Sequence, residues 1–217
     1  MNFEYPLRFG WYYRLLPGLI SRFETTSRKL WITFDDGPAY PGTPYALATL
    51  EKFQVKGTFF VQTDRSLGNR VLLRELLTNG HEIGLHGWHH RSQLFRKRED
   101  ILRNWIDSKH RLEDVLGIAI TRFRPPYADP PLAGWQALRR EGFLPIYLTW
   151  MLGDFVATLP TEHVIEQLMP QLSPGQIVVL HDGGPAPQIF EKILPLLLTA
   201  LRDHNWQTMI PATETLR

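Results

Sequence analysis

The sequence contains no cysteine, so neither a disulfide nor a thiolate metal ligand can form anywhere in the chain. A metal ion would have to be held by histidine, aspartate or glutamate side chains. The net charge is only +2, from 24 basic and 22 acidic residues, so the chain lacks the basic excess that is typical of nucleic-acid-binding proteins. We therefore expect no nucleic-acid partner.

The sequence also lacks an uninterrupted apolar run that could cross a bilayer. Its N-terminal apolar stretch, residues 9–20, is broken by Gly10 and Pro17 and has no signal-peptide pattern, so the expected location is cytoplasmic or membrane-peripheral. Residues 1–29 interleave aromatic and basic side chains. We expect them to be a non-catalytic extension packed on a catalytic domain of residues 30–217, with an interfacial membrane contact as the alternative.

Two kinds of enzyme motif are missing as well. There is no glycine-rich phosphate loop and no Gly-x-Ser-x-Gly sequence, so neither a nucleotide site nor a serine hydrolase is supported. The 217 residues, 43% of them hydrophobic, suffice for one packed domain of α/β-barrel size.

Short apolar segments alternate with helical patterns along the chain. Seven strands are predicted, at residues 30–34, 56–61, 82–85, 121–124, 144–149, 176–180 and 206–210. Six helices are predicted between them, at residues 44–53 (with Thr43 as N-cap), 71–77, 99–116, 132–141, 161–169 and 189–202. This alternation implies an α/β fold with a parallel sheet, either a barrel or an open sheet.

Polar residues that suit catalysis follow the predicted strands. They are Asp35, Asp36, His86, His90, Arg124, Trp150, Asp154 and His181. In a closed parallel barrel the carboxyl ends of all strands lie on one rim, so we expect these residues to converge in one cleft.

The strongest chemical signal among them is a candidate metal site. His86 and His90 are four residues apart, so a helical turn would place both rings on one face. With Asp36 they make a set of two histidines and one carboxylate that leaves coordination positions open for water and substrate. The adjacent Asp35 could take a proton from that water. The alternatives are an ordinary Asp-Gly-Pro turn and a solvated histidine cluster.

The remaining polar residues have roles that are less specific. Arg124 could hold a carboxylate through two hydrogen bonds, or form a surface salt bridge. His181 could donate a proton to a leaving amine, or be a structural histidine. His81 and His89 have no predicted role.

These motifs, taken together, resemble those of the polysaccharide deacetylase family, carbohydrate esterases that share the chitooligosaccharide deacetylase (NodB-type) homology domain. The resemblance covers about residues 30–210. The matching segments are Thr33-Phe34-Asp35-Asp36-Gly37-Pro38, His86-Gly87-Trp88-His89-His90, Arg124-Pro125-Pro126-Tyr127 and Leu180-His181-Asp182. The sequence departs from the family pattern at two places. Gly87 stands where a hydroxyl residue is usual, and the motif at residues 150–155 is shorter than usual and contains one acid, Asp154.

The resemblance implies a fold and a set of residue roles. The fold would be a distorted (β/α) barrel of about seven parallel strands. One divalent metal ion, zinc or else cobalt, nickel or manganese, would be bound by Asp36, His86 and His90. The catalytic residues would be Asp35 as base, Arg124 orienting it, and His181 as acid with Asp154 in place of its usual partner. The resemblance also implies that the backbone N–H of Tyr127 contacts the substrate. Trp88 and Trp150 are expected to contact it because aromatic faces beside a polar cleft suit sugar rings, and Leu180 is the fourth expected contact.

The implied reaction is hydrolysis of N-acetyl groups on an amino-sugar polymer or oligomer. Two alternatives stay open at this point. One is a metal-dependent amidase that acts on a non-sugar C–N bond. The other is a carbohydrate-binding pseudoenzyme that retains the cleft without turnover, against which the intact Asp35 and His181 argue.

Overall fold

Nine strands form one sheet in this computed structural model, which describes residues 5–8, 18–131 and 133–216. The strands are β1 (Leu7–Arg8), β2 (Lys29–Asp35), β3 (Thr58–Val61), β4 (Glu82–Leu85), β5 (Arg122–Phe123), β6 (Leu144–Pro145), β7 (Trp150–Met151), β8 (Ile177–His181) and β9 (Gln207–Thr208). The α-helices are α1 (Gly42–Phe53), α2 (Thr63–Gly68), α3 (Arg70–Thr78), α4 (Arg98–Leu116), α5 (Trp135–Arg140), α6 (Thr161–Leu168) and α7 (Pro187–Asp203). Short 3₁₀ turns occupy Pro126–Ala128, Met169–Gln171 and Thr213–Thr215.

The strand order requires the sheet to curl into a barrel. The order is β1-β7-β8-β2-β3-β4-β5-β6, with β9 paired to β2, and every pairing between these strands except β1 with β7 is parallel. If the sheet were flat, β6 and β7 would be six strand spacings apart, or about 29 Å. The five residue steps from Pro145 to Trp150 reach only about 18 Å. The sheet therefore closes on itself, which confirms the distorted (β/α) barrel.

Residues near the N-terminus fill the seam where the barrel closes. Ile20 pairs in parallel with Ile146: its N–H donates to the Pro145 carbonyl (3.0 Å), and the Tyr147 N–H donates to its carbonyl (2.7 Å). Phe23 is buried beside Trp31, Phe60 and Ile177. Residues 1–4 and 9–17 of the expected N-terminal extension lie outside the described residues, and its membrane contact stays a prediction.

The core lies around the two central strands of the sheet. Strands β2 and β8 are parallel neighbours whose apolar side chains are enclosed on both faces, as expected where helices cover a parallel sheet. Phe34 stacks on Phe59 with ring centroids 4.5 Å apart and meets Phe190 of α7 edge to face at 6.2 Å. This packing holds the carboxyl ends of β2 and β8 in place, and those ends carry the polar residues of interest.

Several sequence-based element boundaries need correction. Of the predicted strand at residues 144–149 only Leu144–Pro145 forms a strand, β6, and the next strand, β7, begins after the predicted range at Trp150. β6 pairs with β5 and β7 pairs with β8, so the two strands lie near opposite ends of the strand order. Strand β1 and helix α2 have no counterpart among the predicted elements. The helix expected at 132–141 is observed at Trp135–Arg140, and Leu132 lies outside the described residues.

Thr43 is not the N-cap of α1, because the helix already begins at Gly42 and its N-cap is Pro41. The Thr43 hydroxyl instead accepts a hydrogen bond from the Ala39 N–H (2.8 Å) and donates one to Oδ2 of Asp182. It therefore joins the loops that follow β2 and β8.

No helix among residues 5–8, 18–131 and 133–216 combines the length and apolar character that a membrane crossing needs.

His81, which has no predicted role, makes stability depend on pH. Its ring is buried, Nδ1 accepts the Gly57 N–H (3.2 Å), and Nε2 has no hydrogen-bond partner among the described residues. Burial, aided by the charge of Lys56, lowers the pKa of His81 from 6.5 to about 4. Between pH 6.5 and pH 4, His81 is protonated in the unfolded chain but stays neutral in the folded protein. The free energy of unfolding therefore decreases as the pH falls through this range.

We expect this effect to reduce the free energy of unfolding by about 2 kcal/mol between pH 7 and pH 5. The variant His81→Asn keeps an acceptor for the Gly57 N–H and removes the titrating ring. Urea unfolding at both pH values should show a smaller loss in this variant than in the wild type. The exposed His110→Asn is the matched control, and it should keep the wild-type loss; an unchanged loss in His81→Asn would contradict the assignment.

Candidate active site

The polar residues predicted to follow strands do meet at one rim of the barrel. The parallel pairing of β2 and β8 places Asp35 level with His181. On the other side of β2, strands β3 and β4 lead to Gln62 and His86, and β5 leads to Arg124. Residues separated by up to 146 positions therefore lie in one cleft, because parallel strands present their carboxyl ends on the same side.

Asp36, His86 and His90 form a cluster that could hold a metal ion. Their potential ligand atoms all lie within 4.8 Å of one another. Oδ1 of Asp36 is 3.5 Å from Nε2 of His86 and 3.3 Å from Nε2 of His90. Two imidazole nitrogens and one carboxylate oxygen are a donor set that suits a divalent transition metal and leaves coordination positions open.

A backbone hydrogen bond fixes the tautomer and the orientation of the His86 ring. Its Nδ1 lies 2.8 Å from the Arg124 carbonyl oxygen, which can only accept a hydrogen bond. The proton of the neutral ring is therefore on Nδ1, and the lone pair of Nε2 faces Asp36. His86 is buried, so this orientation is held firmly.

The side chain of Asp36 is held in its ionised form by neighbouring groups. Burial opposes ionisation of Asp36, but His86, His181 and His90, with a 3.0 Å hydrogen bond from Gln62 Nε2, outweigh it and lower the pKa of Asp36. Asp36 has a positive φ of 77°, an unusual value for aspartate.

His90 is the most accessible member of the cluster. Burial, joined by His86 and His181, outweighs the attraction of Asp36 and lowers the pKa of its ring, so His90 is neutral at pH 7. The ring of Tyr127 lies against it with centroids 4.4 Å apart. Tyr127 has a φ of 59° and is 62% exposed, so it stands at the open side of the cleft.

Asp35 points to a different partner, the buried guanidinium of Arg124. Nη1 of Arg124 donates to Oδ1 of Asp35 (2.8 Å) and to the Thr33 hydroxyl oxygen (2.7 Å). Nε and Nη2 donate to the carbonyls of Ile146 (3.1 Å) and Tyr147 (3.0 Å). These bonds fix Arg124 on several sides, so it can orient the Asp35 carboxylate with little freedom.

His181 is paired with the single acid of the shortened segment. Nδ1 of His181 is 2.9 Å from Oδ1 of Asp154, and the His181 backbone N–H donates to Oδ2 (2.6 Å). Burial disfavours the imidazolium, but the carboxylates of Asp154, Asp35 and Asp36 outweigh it and raise the pKa of His181 to about 9. A divalent cation beside Asp36 would oppose this rise.

The side chains expected to contact substrate differ in accessibility. Trp88 and Tyr127 have exposed surface, whereas Trp150 is only 1% exposed and Leu180 is 0% exposed. The indole N–H of Trp150 donates to Gln176 Oε1 (3.0 Å), so this buried side chain contributes to the packing of the barrel. A substrate contact by any of the four stays a prediction.

Sequence reasoning missed three residues of the site. Gln62 directly follows β3, so the strand-end pattern that identified the others could have found it. Arg65 donates from Nη1 to the carbonyls of Asp36 (2.8 Å) and Gly183 (2.9 Å), tying together the loops after β2 and β8. Tyr5 packs against Phe155, which meets the His181 ring at 5.1 Å. No sequence signal points to Arg65 or Tyr5.

Comparison with known proteins gives a family match and several relatives. Residues 23–146 match the family model described as polysaccharide deacetylase. A peptidoglycan-N-acetylglucosamine deacetylase of Listeria monocytogenes is 28% identical over 158 residues, which is 72% of this chain and 33% of that protein. The chain thus spans about a third of that relative. A peptidoglycan-N-acetylglucosamine deacetylase of Bacillus cereus is 28% identical over 187 residues, 86% of this chain and 87% of the relative.

Solved structures with low sequence identity share the fold. A peptidoglycan N-acetylglucosamine deacetylase in complex with 4-naphthalen-1-yl-N-oxidanyl-benzamide has a TM-score of 0.79 at 19% identity, covering 93% of this chain and 94% of that one. A CE4 family pseudoenzyme from Bacillus anthracis has a TM-score of 0.77 at 19% identity, covering 88% of this chain and 66% of that one. The same barrel therefore occurs in an enzyme and in a pseudoenzyme.

Proposed function

Because the chain belongs to the polysaccharide deacetylase family, we propose that it is a metal-dependent hydrolase that removes N-acetyl groups from amino-sugar polymers or oligomers. One observation carries the proposal. The cluster of Asp36, His86 and His90 lies in the same cleft as two ion-paired groups, Asp35 with Arg124 and His181 with Asp154. A group that binds, a group that takes a proton and a group that gives one are what amide hydrolysis requires.

The metal ligands would be Asp36 Oδ1 with Nε2 of His86 and His90. This set fits zinc, with cobalt, nickel and manganese as alternatives. When bound, the ion would polarise the acetamide carbonyl and lower the pKa of a water molecule.

Asp35 would take the proton from the attacking water. Its Oδ1 is held by Arg124, which leaves Oδ2 as the oxygen that accepts this proton. Arg124 acts through Asp35, so it is a positioning residue. The backbone N–H of Tyr127 would stabilise the negative charge that develops on the carbonyl oxygen.

His181 would give a proton to the leaving nitrogen, which releases acetate and a free amine. This role is supported by the raised pKa of about 9, which keeps the ring protonated at neutral pH. Asp154 accepts the Nδ1–H of His181, so the proton on Nε2 is the one available to the substrate.

The pH profile tests this assignment. The acid must be protonated, so activity should fall as the pH rises through the pKa of His181 and produce the basic limb of a bell-shaped profile. Asp154→Asn removes a charge that raises this pKa, so its basic limb should move to lower pH. His181→Ala should reduce turnover more than Asp154→Asn. The measurement is kcat against pH at saturating metal, and an unmoved limb in Asp154→Asn would assign Asp154 a structural role.

The relatives named above are peptidoglycan-N-acetylglucosamine deacetylases, and for this chain we propose the wider class of N-acetylated amino sugars. Two other functions predict different results in one assay. A pseudoenzyme would release no acetate from N-acetylated chitooligosaccharides with or without added metal. An amidase for non-sugar bonds would cleave simple amides instead. We expect acetate release that stops after chelation and returns when a divalent metal is added. No acetate release from the chitooligosaccharides, either with or without added metal, would overturn the proposal.

A further inference from the structure

A polar groove opens beside the metal-ligand cluster. It has a volume of about 480 Å³, and its lining includes Trp88, Arg91, Arg96, Asp100, Arg103 and Asp107. We call it the arginine groove. Trp88, Arg91 and Arg96 come from the loop between β4 and α4, and the other three from α4 itself. The groove thus has one loop wall and one helical wall.

The groove adjoins the candidate active site through one loop. Trp88, His89 and Arg91 line the groove, and His90 of the same loop has its Nε2 3.3 Å from Asp36 Oδ1. The Trp88 N–H donates to Asn104 Oδ1 on α4 (3.3 Å), which ties the loop to the helix at this end. A polymer whose acetamido group reached His90 would place a neighbouring sugar residue in the groove, with the Trp88 indole available as an apolar face.

The three arginines of the groove differ from those that serve the fold. Arg122 and Arg124 each have a carboxylate partner at 2.8 Å. Among the described residues, Arg91, Arg96 and Arg103 are exposed and have no carboxylate within 4.0 Å, although Asp100 and Asp107 line the same groove. Their guanidinium groups are therefore free to bind a ligand.

The charge is unevenly distributed between the two walls. Arg103 lies on α4 three residues after Asp100 and four before Asp107, so those carboxylates offset part of its charge. Arg91 and Arg96 on the loop have no acidic residue between them. The loop wall is therefore the cationic one, and the planar fork of a guanidinium suits a carboxylate or a phosphate.

We propose that the arginine groove binds an acidic group, a carboxylate or a phosphate, on the sugar residue next to the one being deacetylated. The substrate class is then an anionic amino-sugar polymer in preference to a neutral one. This inference rests on the proposed function for the position of the acetamido group. Binding can nevertheless be measured in the metal-free protein, where no turnover occurs, so the two proposals can fail separately.

The test compares labelled oligosaccharides by fluorescence anisotropy with metal-free protein at low salt. The neutral probe is chitohexaose, the carboxylate probe is a hyaluronan hexasaccharide, and the phosphate probe is an oligomer of N-acetylglucosamine 1-phosphate. We expect one or both anionic probes to bind about ten-fold more tightly than chitohexaose, since two exposed ion pairs can each contribute up to about five-fold. The preference should decrease as salt is added. The anionic probe that binds better identifies the acidic group.

The double variant Arg91→Gln/Arg96→Gln should lose this preference. The matched control is Arg70→Gln/Arg74→Gln, which removes two exposed arginines from α3, changes the net charge equally and should keep the preference. Thermal unfolding of both variants verifies that they are folded. Equal binding of all probes by the wild type would overturn the inference, and so would an equal loss in the control, because that would assign the effect to net charge alone.

Discussion

Replacing Asp35 with asparagine is expected to lower turnover on the order of 10²–10⁴-fold while the metal content stays at the wild-type level, since this is the usual loss when a general base is removed. The physical reason is that Asp35 and Asp36, although adjacent, have different partners. Asp36 faces His86 and His90, whereas Asp35 is held by Arg124. Asparagine keeps an oxygen for the Arg124 hydrogen bond but cannot accept a proton at neutral pH.

The measurements are acetate release and elemental analysis on the same purified protein. Asp64→Asn is the matched control, because Asp64 is a carboxylate without a proposed role in the reaction that pairs with the half-exposed His89 (2.7 Å). This control should keep near-normal turnover. Near-normal turnover in Asp35→Asn would mean that another group takes the proton, and loss of metal in that variant would mean that Asp35 is itself a ligand.

Replacing both His86 and His90 with alanine is expected to abolish metal binding and reduce acetate release to background. Two of the three ligand atoms would be removed, and Asp36 alone offers a single carboxylate. The absence of cysteine means that no thiolate can substitute. Elemental analysis after dialysis against a divalent metal gives the metal content directly.

The matched control for this double variant removes two other histidines, His89 and His110. His89 lies in the same loop, between the two ligands, but pairs with Asp64, and His110 is an exposed residue of α4. We expect His89→Ala/His110→Ala to bind one equivalent of metal. An unchanged metal content in His86→Ala/His90→Ala would show that the ion binds elsewhere and would remove the basis of the proposed mechanism.

Local sequence patterns were enough to predict the α/β fold and most of the residues of the cleft. Alternation of apolar strands with amphipathic helices depends on local periodicity and burial, so β2, β4 and α4 were predicted within one or two residues of their observed bounds. Placing polar residues at strand ends then required only the rule that parallel strands present their carboxyl ends together. The two-histidine, one-carboxylate cluster followed from that rule and from the absence of cysteine.

The closure of the barrel is visible only in the three-dimensional structure. The sequence predicts one strand at residues 144–149, yet the chain here leaves β6 at one end of the strand order and reaches β7 near the other end. Ile20 fills the seam through hydrogen bonds to Pro145 and Tyr147 that are more than 120 positions away in the sequence. Such pairings depend on which backbone groups remain unpaired after the sheet has curled, and no local pattern records them.

Tertiary structure also decided the partners of the reacting groups. The sequence indicated Asp154 as the partner of His181 only through the family resemblance, and the fold places its Oδ1 2.9 Å from Nδ1 of His181. Arg65 joins the loops after β2 and β8, and the arginine groove combines residues from a loop and from a helix face. Hydrogen bonds and charge clusters between distant segments depend on three-dimensional distance. Strand periodicity depends only on neighbours along the chain, so it predicts the rim of the barrel, whereas the expected pairs of Asp35 with Arg124 and His181 with Asp154 came from the family resemblance.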